Sequence, residues 1–274
     1  MPSVKKQLEL FLAEDIKSGD ITSKLLSGKK ITATIISREN GIVAGASYAK
    51  EIFASKNCKV TIHRRDGQTI SPNQKIMTIS GDAHTILSRE RTALNLMSRM
   101  CGIATQTNAY AKKIRAANPK VGLYATRKTA PGLRIFDKDA VAIGGGHRHR
   151  MSLDQMVMIK DNHIAAADSL LDLIKKAKEK HKKIEVEVEN LQDAIIAARE
   201  GAEIILLDNM SPPKIRKIIA ELKRLGLRDK VRIEASGGIN QSNVAQYARS
   251  GADMISIGRL TSSVAGLDLS LEVS

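Results

Sequence analysis

KIEVEVENLQDAIIAAREGAEIILLDNM, residues Lys183 to Met210, decides the architecture. Two apolar-rich runs, KIEVEVE and AEIILLD, flank LQDAIIAARE, which reads as a helix. A strand, a helix and a second strand in so little chain form the unit of a parallel sheet with a crossover helix. In the first run Ile184, Val186 and Val188 point one way, so Glu185, Glu187 and Glu189 point the other. On an antiparallel sheet that acidic face would be wet. In a parallel barrel the outer face packs on helices, and the carboxylates line the interior, where they need cations, protons or metal.

The same texture extends outward from this stretch. Candidate strands VGLYA, MVMIK, KVRIEAS and DMISIG alternate with helical SLLDLIKKAKEK, PPKIRKIIAELKRL and QSNVAQYARSG. Each strand ends in a polar or glycine-rich turn: KDN, EN, DNM, SGGIN, GRLTS. In a β/α barrel such turns converge on the active-site face. Asp208 closes an apolar run at that mouth. With Glu187 it could accept ribose hydroxyls or hold Mg²⁺ by oxygen ligands beside a pyrophosphate. Neither has a His or Cys at ligand spacing, which argues against zinc. The turns Ser236-Gly237-Gly238 and Ser256-Ile257-Gly258 end the last two strands and offer bare N–H groups to phosphate. The basic run KKAKEKHKK reads as a solvated helix end.

The first hundred residues have a different pattern, with short β-like runs and turn chemistry. ITATIISREN and GIVAGASYA are separated by the tight-turn pair Asn40-Gly41, and CKVTIHRRDGQTI carries Asp66-Gly67. From Ala83 to about Ala117 the apolar spacing predicts a helix, with Gly102 interrupting it. A small α+β sandwich feeding a long helix is expected.

Between the two textures lies YATRKTAPGLRIFDKDAVAIGGGHRHRMSLDQMVMIKDNHI, residues Tyr124 to Ile164. It concentrates Arg127, Lys128, Arg134, His149, Arg150 and Lys160 around a triple glycine, with few interleaved acids. Guanidiniums match carboxylates and phosphates in bidentate fashion, so these cations imply a pocket for a small polyanion. The alternation of His147, Arg148, His149 and Arg150 suggests that two side chains face the pocket and two face away. Arg91 on the long helix has Glu90 beside it as an ordinary partner.

The formal charge of +15 fits an anion-binding protein, whether the anion is nucleic acid, lipid or a phosphorylated metabolite. An aromatic content of 3%, without tryptophan, leaves few platforms for stacking bases and argues against nucleic acid. Two cysteines cannot build a disulfide framework, no run of apolar residues is long enough to span a membrane, and the N-terminus has no signal-peptide pattern. A cytoplasmic enzyme is expected.

The motifs LAEDIKSGDITS, NGIVAG, DGQTI, ILSRERTALNLMSRMCGIAT, TRKTAPGLR, GGGHRHRMSL, IKDNHI, EVEVEN, LLDN, EASGGIN and ISIGRLTSS run nearly end to end. In that order they resemble the quinolinate phosphoribosyltransferase family, also called nicotinate-nucleotide pyrophosphorylase (carboxylating). The resemblance implies an α/β fold: an open α/β barrel of about seven strands over residues 106–261, preceded by an α+β open-faced sandwich over 1–105 that receives the tail from about 262 to 274. It implies transfer of phosphoribosyl from phosphoribosyl pyrophosphate to quinolinate with loss of CO₂, using Mg²⁺ and no organic cofactor. It also implies a homodimer in which Arg91 crosses to the neighbouring site.

Carried onto this chain, Arg127, His149, Arg150 and Lys160 match positions that hold the quinolinate carboxylates. Lys128 lies towards the phosphoribosyl group, and Thr126 opens the same motif. Glu187 and Asp208 match the acidic pair near the ribose, and Ser236, Gly237, Gly238, Ser256 and Gly258 its phosphate cradle. Lys128, Lys160, Glu187 and Asp208 are the implied catalytic set. The chain departs from the usual family pattern at Ala125, Arg148 and Ser262. Two rivals are a non-decarboxylating nicotinate phosphoribosyltransferase, which needs fewer cations, and a molybdate-transport-associated branch, which departs from the HRHR and IKDNH patterns.

Overall fold

The structure, a computed structural model, describes residues 3–54, 58–167 and 169–274. The chain divides into two compact units. One comprises Met1–Asn108, Asp139–Gly144 and Ser263–Ser274; the other comprises Ala109–Lys138 and Gly145–Ser262.

The first unit opens with α1 (Val4–Ile16), where Ser3 Oγ accepts from the Lys6 amide at 3.3 Å and caps the first turn. Then come β1 (Lys30–Ser37), β2 (Gly41–Ile42), α2 (Ala46–Phe53), β3 (Cys58–Ile62), β4 (Thr69–Ile70), β5 (Lys75–Asp82) and α3 (Ala83–Ala117). β1, β5 and β3 are antiparallel neighbours in that order. Ala33 opposite Ile79 and Ile35 opposite Met77 are fully buried on one face. Thr32 opposite Ser80 and Thr34 opposite Thr78 join hydroxyls on the other, at 3.1 and 3.5 Å. This is the alternation of a sheet covered on one side.

Three local expectations need correction. Asn40-Gly41 does not join paired strands, because β1 pairs with β5 whereas β2 pairs with β4 in a separate ribbon. The run GIVAGASYA is only briefly extended before α2 begins at Ala46. The cap of α2 is remote: Asp66 accepts from the Ala46 amide at 2.8 Å and from the Ser47 hydroxyl at 2.8 Å. Gly102 does not interrupt α3, which runs unbroken from Ala83 to Ala117. A Cβ at Gly102 would sit 2.0 Å from the Ala265 carbonyl oxygen, so close passage of the C-terminal segment, not helix ending, requires the glycine.

The second unit contains the end of α3 from Ala109, β6 (Gly122–Tyr124), the start of α4 (Arg134–Ile143) up to Lys138, β7 (Val157–Ile159), α5 (Asp161–Ala165), α6 (Leu170–Lys180), β8 (Ile184–Val188), α7 (Leu191–Arg199), β9 (Ile204–Asp208), α8 (Pro212–Arg224), β10 (Arg232–Ser236), α9 (Val244–Ala248), β11 (Met254–Ser256) and α10 (Arg259–Ser262). The sheet is parallel in the order β6-β11-β10-β9-β8-β7. A single parallel bridge from Tyr124 to His147 adds a further lane beyond β6. Six strands plus that lane make the open α/β barrel. Helices cover its outer face: α8 buries Ile215, Ile218, Ile219 and Leu222, one stripe at three- and four-residue spacing. Each such side chain contributes about 1.5–3 kcal/mol by leaving water.

The chain ends in β12 (Leu269–Val273), antiparallel to β1 with Ala33 opposite Val273, which completes the first sheet as β12-β1-β5-β3. Among the described residues no helix is long and apolar enough to cross a membrane.

Gly102→Ala tests the close passage. Glycine to alanine in a helix interior ordinarily gains about 1 kcal/mol. Here the clash with a backbone oxygen reverses the sign, with an expected loss of about 1–3 kcal/mol in urea unfolding. A gain would show that the Ala265 segment does not pack there.

Candidate active site

The carboxyl ends of the barrel strands open on one cavity of about 630 Å³, lined entirely by the second unit. Its cations come from three successive segments. After β6 the chain turns at Thr126, whose Oγ1 accepts from the Lys128 amide at 3.1 Å, and Arg127 and Lys128 enter the cavity. His149 and Arg150 come from the loop after α4, and Lys160 follows β7. Of Arg127, Lys128, Arg150 and Lys160, only Lys160 has a carboxylate in ion-pair contact among the described residues, namely Glu187. Arg127 Nε is buried without a hydrogen-bond partner. Arg150 is held by neutral acceptors, donating to Met156 O at 3.2 Å and to Met158 Sδ at 3.0 Å. Burial, and next the charge of Arg127, lower the pKa of Arg150.

The expected alternation along His147–Arg150 does not hold. His147 and Arg148 are exposed, with His147 stacked on the Tyr124 ring at 4.7 Å, while the consecutive pair His149 and Arg150 lines the cavity. A left-handed backbone at His149, φ 53°, breaks the extended run and turns both side chains the same way.

The acids form two levels. Glu187 at the end of β8 and Asp208 at the end of β9 line the cavity; Glu189 is exposed. Below them, Glu185 and Glu234 are almost wholly buried. His149 Nε2 lies between the two, 3.4 Å from Glu185 Oε2 and 3.3 Å from Glu234 Oε2. This trio is the group among the described residues whose ligand atoms are close enough to share a metal. Spacing in the sequence could not reveal it, because its members come from three distant segments. Neither Glu185 oxygen has a hydrogen-bond partner. Burial first, and Glu234 next, hold the Glu185 carboxyl well above the usual carboxylate range, so it keeps its proton at neutral pH.

Ser236, Gly237 and Gly238 after β10, and Ser256 and Gly258 after β11, complete the wall. Gly237 has φ 85°, and a Cβ there would stand 2.2 Å from Asn209 Oδ1, so only glycine lets the two turns meet. Ser256 Oγ is buried and unpartnered.

The cavity thus brings together every residue that the family resemblance assigned to the site except Arg91, while Arg134 of the cationic cluster stands behind the wall, bonded to Thr129 and Met151. Arg91 lies on α3, with its side chain 65% exposed and Glu90 3.9 Å away. Of the departures from the family pattern, Ala125 and Ser262 line the cavity and Arg148 does not. Asn209, Glu234, Asn240 and Arg259 line it as well and went unread in the sequence. Glu234 had a signal: it stands two residues before Ser236 on the same strand, as Glu185 stands two before Glu187, and period two puts each pair on one face.

An open parallel barrel with a cationic cavity at the carboxyl ends of its strands is the architecture of an enzyme acting on anionic small molecules. The C-terminal domain model of quinolinate phosphoribosyl transferase matches residues 103–272, and the N-terminal domain model matches 20–101. A protein of Methanothermobacter thermautotrophicus described as probable nicotinate-nucleotide pyrophosphorylase (carboxylating) is 46% identical over 94% of this chain and 95% of its own length. The crystal structure of nicotinate-nucleotide pyrophosphorylase from Ehrlichia chaffeensis superposes with a TM-score of 0.93 at 34% identity, covering 100% of this chain and 99% of that one. Human nicotinic acid phosphoribosyltransferase shares the fold alone, with a TM-score of 0.62 at 13% identity, covering 98% of this chain and 73% of that one. The chain belongs to the quinolinate phosphoribosyltransferase family.

The proton on Glu185 has a measurable consequence. The folded protein retains it at pH values where the unfolded chain has lost it. The folded state then binds more protons, and this group's contribution to stability falls as pH rises from the ordinary glutamate range through neutrality. Glu185→Gln, neutral at every pH, removes that slope. Urea unfolding at pH 5 and pH 8 should show the variant gaining on the parent at the higher pH, and parallel pH profiles would contradict the assignment.

Proposed function

We propose that this protein transfers the phosphoribosyl group of phosphoribosyl pyrophosphate to quinolinate and releases CO₂ and pyrophosphate, forming nicotinate mononucleotide for NAD biosynthesis. The observation that carries the reading is a single cavity holding Arg127, Lys128 and Arg150 without carboxylate partners, facing an acidic pair and two glycine turns. The full-length similarity to carboxylating nicotinate-nucleotide pyrophosphorylases supports it.

Both substrates are polyanions and repel each other. At an effective dielectric of about 20, one unit pair at 4 Å is worth on the order of 4 kcal/mol, so one cation cannot hold both. Arg127, Arg150 and Lys160, with His149 beside them, face the two carboxylates of the pyridine ring. Lys128 serves the phosphoribosyl side, and the N–H groups of the turns at Gly237 and Gly258 serve its phosphates. The pyridine nitrogen displaces pyrophosphate from C1 of the sugar through an oxocarbenium-like state, which Glu187 and Asp208 stabilise electrostatically. The ring is then a pyridinium. Its 2-carboxylate leaves as CO₂, the bonding pair stays on C2, and a proton takes the vacated position.

Mg²⁺ suits this site on donor chemistry: Glu187 and Asp208 are oxygen ligands, and Mg²⁺ would neutralise charge on the departing pyrophosphate. Arg91, exposed and with only Glu90 in ion-pair range, fits a residue that reaches the site of a second copy in a homodimer. A cytoplasmic location accords with these substrates.

The test mixes protein, phosphoribosyl pyrophosphate and Mg²⁺ with quinolinate or with nicotinate. CO₂ and nicotinate mononucleotide are expected from quinolinate, abolished by EDTA and restored by added Mg²⁺. Consumption of nicotinate without turnover of quinolinate would establish the non-decarboxylating rival. Arg150→Ala should raise the KM for quinolinate about tenfold or more and leave that for the phosphoribosyl donor within about twofold. Equal kinetics in mutant and parent would remove Arg150 from the site.

A further inference from the structure

The segment that presents His149 and Arg150 has a left-handed residue where a strand would continue, and among the described residues its backbone pairs with the sheet in a single bridge at His147. Side chains from the start of α4 hold its backbone carbonyls. Arg134 donates to Met151 O at 3.0 Å and to Thr129 Oγ1 at 3.3 Å, tying the segment after β6 to the one after α4. Asp137 accepts from the Ala130 amide at 3.4 Å. Lys138 makes the tightest grip: its ammonium donates to the carbonyls of both Arg148 and Arg150, one on either side of His149.

Lys138 is 0% exposed and does not line the cavity. Burial, then the charges of Arg134, Arg127 and Arg150, push its pKa down to about 8, so it stays mostly protonated at neutral pH. Burying a cation among cations is costly, and an apolar side chain of the same length would fill the space without that cost. What lysine adds is several donors on one nitrogen, enough to bind two carbonyls at once.

We propose that Lys138 is a positioning residue for quinolinate binding: by gripping the carbonyls of Arg148 and Arg150 it fixes the left-handed turn at His149, and so sets the direction in which the Arg150 guanidinium enters the cavity. The inference rests on the quinolinate pocket proposed above. It assigns Lys138 no contact with either substrate. Loss of the grip frees the backbone at Arg150 while the segment carrying Arg127 and Lys128 keeps its own ties to α4.

Steady-state kinetics of Lys138→Met, alone and combined with Arg150→Ala, test this. Lys138→Met should raise the quinolinate KM about tenfold and shift that of phosphoribosyl pyrophosphate by less than about twofold. In the Arg150→Ala background the same change should add less than about twofold, because the residue it positions is gone. A merely structural lysine would raise both KM values together, or act with full effect in both backgrounds, and either result overturns the proposal. If Lys138→Met does not fold, Lys138→Gln takes its place with the same expectations, since one amide cannot bind both carbonyls as the ammonium does. An effect of Arg150→Ala on quinolinate with none from the Lys138 variants defeats this inference alone. No effect from Arg150→Ala defeats the pocket reading and this inference with it.

Discussion

Cations can be crowded into one hollow only if something fixes them without cancelling their charge, and here that work falls to neutral oxygen. Within the hollow Arg150 donates to the Met156 carbonyl; behind its wall Arg134 holds the Met151 carbonyl and Lys138 the carbonyls of Arg148 and Arg150. A carboxylate in place of the Met156 carbonyl would fix Arg150 more strongly and also neutralise it, leaving nothing for a ligand. Backbone acceptors orient the charge and leave it free.

The acids are kept apart from these guanidiniums by depth and by strand. Glu187 meets Lys160 at the rim, and Asp208 stands one strand further round. Glu185 lies one step down β8 from Glu187, and Glu234 lies on β10, both beneath His149. Two carboxylates that close in a dry interior cannot both ionise cheaply, and a proton on Glu185 removes much of the conflict. His149 then separates the acidic floor from the cationic wall. Its ring also meets the Tyr124 ring edge-on at 5.9 Å, so β6, β8 and β10 all help to place it.

The barrel was legible because its signals are local. Apolar runs such as IILLD, helical spacing such as that of α8, and turns at strand ends each need only a few neighbouring residues to be read. What misled is nonlocal. Asn40-Gly41 has hairpin chemistry, but the pairing of β1 with β5 and β12 is settled by the sheet as a whole. The start of α2 depends on Asp66, and the glycine in α3 answers a carbonyl at Ala265. At the cavity the same division holds. Residues at strand ends were readable, whereas the placing of His149 and Arg150 depends on one positive φ, and the meeting of His149 with Glu185 and Glu234 on closure of the sheet.

Charge balance bears on which pyridine the cavity accepts. Nicotinate carries one carboxylate and quinolinate two, while the phosphoribosyl donor is the same for both. On the ring side Arg127 and Arg150 have no acidic partner and Lys160 shares Glu187, which leaves a positive excess that a single ring carboxylate would not neutralise. Arg127 shows the excess most directly, since its buried Nε has no acceptor within the protein. The match of a dicarboxylate to this cavity thus rests on cations without acidic partners, and it is the same feature that makes loss of CO₂ possible, because the carboxylate that leaves must first be held.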